Sequence, residues 1–416
     1  MLNHKRTKED HQGVPMFKAK NLIFCLLMAA LMAACSPAAA QITPTETLLP
    51  TKEGIDTPFV PATNTPAPTA TATPKPTPDY PVEGYGPTDF PENVDPLTGL
   101  KVADAQILNR RPIIIKVQNL PREDRPQYGL SKADIVYEYY TEYGSTRFAA
   151  VFYGQDASQV MPIRSARYSD SNFIRMYKSI FVFGSAYAPI YASLANSEFS
   201  NRLILETGTS CPAVCRFDPS GHNYLYADTE ALQNLLKTRG VDNTRQNLDG
   251  MSFNMTAPGE GDTAAQVFVR FSGAVYNRWD YDAITGKYLR FAETKNDLGA
   301  NDPAYAQLTD ALTKQPITAD NLVIIQVLHN EVDPNPNVEV LNMSILGSGT
   351  AYLARDGKLF KVKWERKSES DVLHLVDDAG KPVAFKPGQT WFEVFSNNST
   401  VTQDGDNWNF QFVSDW

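Results

Sequence analysis

Residues 41–80 hold eleven Thr and nine Pro, half of the segment, and this stretch limits what the rest of the chain can build. It has almost nothing to bury. Such a composition cannot offset the entropy of ordering and favours extended polyproline conformations. At about 3.1 Å per residue, forty extended residues reach on the order of 120 Å. The segment reads as a spacer at residues 36–81 or as a plain disordered tether. Either way, a compact body is confined to the residues from about 82 onward.

What lies before the spacer is an address. Lys18 and Lys20 precede an apolar run from Leu22 to Met32, then Ala33, Ala34 and Cys35. This is the three-part layout of a secretory signal. The run is short for a bilayer span, which needs roughly 20 residues. Small residues directly before a cysteine resemble a bacterial lipobox, with Cys35 as the lipidation site. Met32 stands where that motif prefers Leu, and a plain signal peptide or an uncleaved anchor are the alternatives. Residues 1–15 fit no signal pattern, so Met16 is a candidate start. A lipid-anchored protein on the extracytoplasmic face of the bacterial cell membrane is expected.

Charge narrows the partners. The chain carries net charge −9, and residues 1–35 contribute five basic and two acidic groups. Removing them leaves about −12, which argues against nucleic acid and against a basic membrane-surface role. Cys25 lies inside the leader and Cys35 is the lipid site, leaving Cys211 and Cys215 in Cys-Pro-Ala-Val-Cys. Outside the cytoplasm such a pair reads as a disulfide. A zinc site would need two more ligands, with His222 the nearest. A redox role fits poorly, because the spacing is not Cys-x-x-Cys.

Patterning of the body predicts an α+β protein: a mixed α/β domain at 82–255, then a mostly β domain at 256–416. Strands are expected at 111–118, at 134–140 and 146–153 around a Gly144 turn, and at 180–183. Ser169 is placed to cap a helix running to about Lys178. Further strands are expected at 267–271, 275–281, 288–291, 322–329, 338–345, 350–354, 359–364 and 391–395. Residues 95–99, Asp-Pro-Leu-Thr-Gly, read as a turn.

Several runs carry a family resemblance. Arg111-Pro, Arg125-Pro-Gln-Tyr-Gly-Leu-Ser-Lys-Ala-Asp-Ile-Val-Tyr-Glu138, Thr146-Arg147-Phe and Pro162-Ile-Arg-Ser-Ala-Arg167 resemble the N-terminal domain of the YerB-type bacterial lipoproteins. His222-Asn223, the run from Thr318 to Gln326, Gly347-Ser-Gly-Thr and the run from Pro387 to Glu393 resemble the second domain and the linker before it. The likeness spans roughly 90–396. It implies a lipoprotein, in agreement with Cys35, and two domains of unknown function. The Cys211/Cys215 loop, the reworked stretch 296–307 and the tail after Phe395 depart from the family.

No nucleophile elbow, Ser-x-x-Lys, His-Glu-x-x-His or phosphate-binding glycine loop occurs, and no cofactor is implied. The best constellation is Arg164-Ser-Ala-Arg167 leading into the Ser169 cap, with Arg147 in the preceding strand. Arginines beside a helix N-terminus can fork onto a carboxylate or phosphate. The competing reading pairs them with internal acids such as Glu138 or Asp170. His222 and Asn223, in a loop, are further ligand-binding candidates. His329, Glu331 and Asp333 alternate along one strand face and are weak metal candidates, or an ordinary polar strand end. His374 takes no role. Tyr137, Tyr139, Tyr140 and Tyr143 stack sugars or pack between layers. Three functions follow: a module binding an anionic wall component or envelope protein through the arginines and Glu138; an enzyme on a wall substrate with His222 or Glu138 moving the proton; or a non-catalytic scaffold.

Overall fold

The computed structural model describes residues 80–416, apart from 219–223, 300–301 and 336. The signal, Cys35, nearly all of the spacer, His222 and Asn223 lie outside the described residues. Thirteen strands carry the argument. They are β1 (Ile113–Gln118), β2 (Ile135–Tyr140), β3 (Thr146–Phe152), β4 (Ile180–Val182), β5 (Gln266–Arg270), β6 (Tyr276–Asp282), β7 (Lys287–Glu293), β8 (Asn321–Glu331), β9 (Gly347–Arg355), β10 (Lys358–Arg366), β11 (Thr390–Ser396), β12 (Thr400–Asp404) and β13 (Asn407–Gln411). Three α-helices join them: α1 (Asp170–Tyr177), α2 (Ala188–Ala195) and α3 (Thr229–Thr238). The region before residue 255 mixes helices and strands, and the region after it is almost entirely strand, as the patterning predicts.

A twelve-stranded sheet runs through both regions. Its path is β10-β9-β8-β11-β2-β3-β1-β4, with short strands added at both ends and two more off the path. The halves meet where β11 pairs in parallel with β2 on one side and with β8 on the other. Every residue of β11 is buried. Parallel strands covered on both faces need that kind of near-continuous apolar run, and Thr-Trp-Phe-Glu-Val-Phe-Ser supplies it around one acid.

Alternation along the strands then sorts the side chains into two cores. Tyr137, Tyr139, Phe392 and Val394 face α1 and α2, meeting Phe173, Ile174, Ile190 and Leu194. Val136, Phe148, Trp391 and Phe395 face the other way, onto Trp279, Tyr288 and Val267 of a second sheet and Leu232 and Leu236 of α3. That seven-stranded sheet runs β7-β6-β5-β13-β12 with short strands at β7. Each large apolar side chain so buried contributes roughly 1.5–3 kcal/mol.

Local details depart from expectation. Ser169 does not cap α1: its Oγ accepts the Met343 N–H at 3.1 Å, and Asp170 takes the Arg167 N–H at 2.6 Å. Asp170 instead ties down the chain just before the helix and reaches inward to a buried lysine. The tail after residue 396 is not an appendage. It forms the β12–β13 hairpin, and β13 pairs in parallel with β5. Cys211 and Cys215 are disulfide-bonded beside a small two-stranded ladder, Val214–Arg216 with Leu225–Ala227. Among the described residues no helix is long and apolar enough to cross a membrane.

Candidate anion-binding site

The β2–β3 hairpin builds the site. Its register sets Tyr139 opposite Arg147, and β1 sets Gln118 opposite Arg147 on the other side. Directly opposed residues share a face, so Arg147 projects on the α1 side of the sheet. Residues 162–168 cross the same strand ends. The Arg164 N–H donates to Lys116 O at 2.9 Å, and the Gly184 N–H to Arg164 O at 3.0 Å. The three arginines of the sequence argument therefore do come together.

Two of them turn inward. Arg147 donates to Ser165 O at 2.8 Å and Glu142 Oε1 at 3.0 Å. Arg167 forks onto both oxygens of Glu142, with Nε to Oε2 at 2.6 Å, and also reaches Ser165 O and Ala166 O. Burial works to raise the Glu142 carboxyl, but the Arg167 hydrogen bond and the Arg147 charge outweigh it and hold the group low. Burial, reinforced by Arg167, brings the Arg147 guanidinium down to about 10. Beneath them Lys116, wholly buried, donates to Tyr139 Oη and to Asp170 Oδ1, the latter at 3.0 Å. Tyr139 Oη in turn donates to Asp170. Burial pushes the Lys116 amine down to about 7 against the pull of Asp170.

Arg164 is different. It forms no ion pair among the described residues, and the Asp124 charge acts on it. Burial lowers its guanidinium, and Arg167 adds to that. Lys116, Arg147 and Arg167 thus share two acids, Glu142 and Asp170, and Arg164 adds a fourth cation with the Asp124 charge nearby, in a protein that is acidic as a whole.

Residues 97–242 match the domain described as the N-terminal domain of the protein of unknown function DUF3048, and residues 267–392 match its C-terminal domain. The chain belongs to the DUF3048 family. It is 27% identical over 304 residues to the Bacillus subtilis (strain 168) protein named "Putative lipoprotein YerB", covering 72% of this chain and 85% of that one. The crystal structure of YerB from Bacillus subtilis superposes with a TM-score of 0.58 at 25% identity, covering 72% of this chain and 96% of that one. Arg147, Glu142, Arg164 and Arg167 all fall within the first DUF3048 domain, whereas the β12–β13 hairpin lies beyond the second.

The remaining candidates lie elsewhere. Glu138 follows the other parity of β2 and projects on the opposite face of the sheet from Arg147. There it accepts from Arg290 at 2.6 Å, Asn119 at 2.9 Å and Thr146 at 2.7 Å. Arg290 also holds Glu393 at 3.0 Å and lies over the Trp391 ring at 4.6 Å. Burial, then the Glu138 charge, raises the Glu393 carboxyl well above its ordinary value. His329 is buried against Phe412 and Trp416, while Glu331 is exposed, so the strand end does not gather them. Among the described residues no three His, Cys, Asp or Glu side chains are grouped to hold a metal. Tyr137 stacks on Phe392 at 4.6 Å and Tyr140 on Phe412 at 4.9 Å. Both pack between layers, and Tyr143 alone of the four is well exposed. Sequence reasoning missed Glu142 and Lys116. Strand parity could have flagged Lys116 as a sharer of the Arg147 face; nothing local marks Glu142.

Proposed function

We propose that this protein is a membrane-tethered, extracytoplasmic binding module that holds an anionic envelope component at Arg164, with Arg147 and Arg167 behind it. One observation carries the reading: of three arginines drawn together, Arg164 is the one whose guanidinium is not committed to an internal carboxylate. Arginine suits this task because its planar fork matches phosphate and carboxylate oxygens. The lipoprotein naming of the Bacillus relative and the Cys35 lipobox support the location.

The test is binding of the soluble body to an anionic polymer such as polyphosphate, measured for the native protein and for Arg164→Ala. Saturable, salt-sensitive binding that Arg164→Ala weakens tenfold or more is expected. Equal binding by both proteins would sink the reading.

A further inference from the structure

A second cluster sits at the opposite end of β2. Asp134 immediately precedes that strand, and its Oδ2 accepts the N–H groups of Tyr153 and Gly154, where β3 ends. The Asp95 turn lies against it. Asp95 Oδ1 accepts the Leu97 N–H at 2.8 Å, while Asp95 Oδ2 accepts no hydrogen bond. The two residues are 1% and 3% exposed. A Cβ placed on Gly154 would come within 2.5 Å of Asp95 Oδ2 and 3.4 Å of Asp134 Oδ1, so these two oxygens converge on one point of backbone that only glycine leaves open.

Among the described residues neither carboxylate has a side-chain cation bonded to it. Arg110, the nearest by field, is committed to Asp156 Oδ1 at 2.8 Å and Tyr153 O at 3.0 Å. Lys287 is held by Asp320 at 2.9 Å. Two facing, buried carboxylates without a counter-charge are unfavourable, and burial raises both groups, Asp95 to about 6. The repulsion is relieved either by a proton shared between the two side chains, which lie within hydrogen-bond reach, or by a cation between them. Both also line a cavity of about 410 Å³ that includes Thr98, Ser131 and Gln155.

We propose that Asp95 and Asp134 bind one hard divalent cation, of the calcium or magnesium class, that clamps the 95–99 turn to the β2–β3 hairpin. The donor set is all oxygen, as such ions require. Two carboxylates supply the charge, and the Thr98 hydroxyl stands beside Asp95. The cavity has room for the waters that complete six to eight ligands. The site joins the 95–99 turn to the β2–β3 hairpin, so metal binding adds stability directly.

The experiment strips the full chain with EDTA and follows melting on addition of Ca2+ or Mg2+. Tb3+ luminescence, with Ca2+ as competitor, reads the site itself. A rise of a few degrees at millimolar cation is expected, with saturable Tb3+ emission that Ca2+ displaces. Asp134→Asn and Asp95→Asn should abolish both responses, whereas Asp378→Asn, at an exposed acid elsewhere, should keep them. Should a variant fail to fold, Tb3+ on the native chain still decides. No response to any of the three ions overturns the proposal. So does a folded Asp95→Asn that melts above a native chain indifferent to metal, since a proton then bridges the pair.

Discussion

Two charge clusters lie on opposite faces of the same strand. On one face of β2, Glu138 joins Arg290 and Glu393 in a nest that is at most 1% exposed and roofed by Trp279, Trp391 and Phe148. On the other face, beside Tyr139, the Arg147–Glu142–Arg167 group keeps 14–18% side-chain exposure. Both mix arginine with glutamate. The difference lies in which sign is in excess and whether water can reach it. The sealed nest has two acids for one arginine and holds the sheets in register. The open cluster has more cations than acids and stands at the strand ends, where the arginines of residues 147–167 meet solvent. A buried ion group is weak evidence for stability gained but strong evidence for stability lost when it is broken.

The comparison breaks first at Arg290. Arg290→Ala should cost about 3–5 kcal/mol in urea unfolding, because two buried carboxylates lose their common partner. A loss below about 1 kcal/mol would mean the nest does not hold the sheets together. Next is Lys116, at the floor of the open cluster. Its folded value of about 7 lies below its unfolded value, so from pH 7 to 9 the unfolded chain binds more protons than the folded one. Stability should therefore rise with pH across that window, by at most about 1.4 kcal/mol per unit. Lys116→Met should flatten the slope; an unchanged slope would locate the titration elsewhere. Third, Glu142→Gln should cost only about 1–2 kcal/mol, since the partly solvated arginines keep their carbonyl partners. It should also tighten binding of an anionic polymer. A loss as large as that of Arg290→Ala would make the two clusters alike and the open one structural.

Some of this was legible in the residues and some was not, for reasons that separate local from distant information. Runs such as Ile113–Gln118 and Thr390–Ser396 announce buried strands through β-branched and aromatic residues. Glu138 was harder. Grouping it with Arg147 requires ignoring parity, and parity becomes a statement about faces only once the register pairs Tyr139 with Arg147. Glu142 sits in a hairpin turn and meets Arg167 across 25 residues, a contact that no spacing rule contains. Other signals were present and passed over. Asp228 before Thr-Glu-Ala-Leu is a good helix cap, and its carboxylate does accept from Glu230 and Ala231 at the start of α3. Asp404-Gly-Asp406 between alternating residues marks the β12–β13 hairpin, whose partner β5 lies far back in the chain.

The finest division between the clusters rests on Arg164. Its side chain is half-buried and makes no ion pair among the described residues, so Arg164→Ala should shift unfolding by less than about 0.5 kcal/mol. Removing Arg147 or Arg167 strips Glu142 of a partner and should cost more. Function should run in the reverse order. If Arg164 is the group that meets the anion, its loss removes the attraction while leaving the fold intact, and the Arg147/Arg167 pair, held by Glu142, cannot replace it. Arg164→Lys separates charge from shape: a point charge keeps the long-range pull but not the two-pronged contact. It should therefore restore only part of the binding and keep its salt dependence. Full recovery with Lys would reduce the site to a local field, and no recovery would make the fork itself the recognition element. A large fall in stability for Arg164→Ala would erase the distinction and put all three arginines on the structural side.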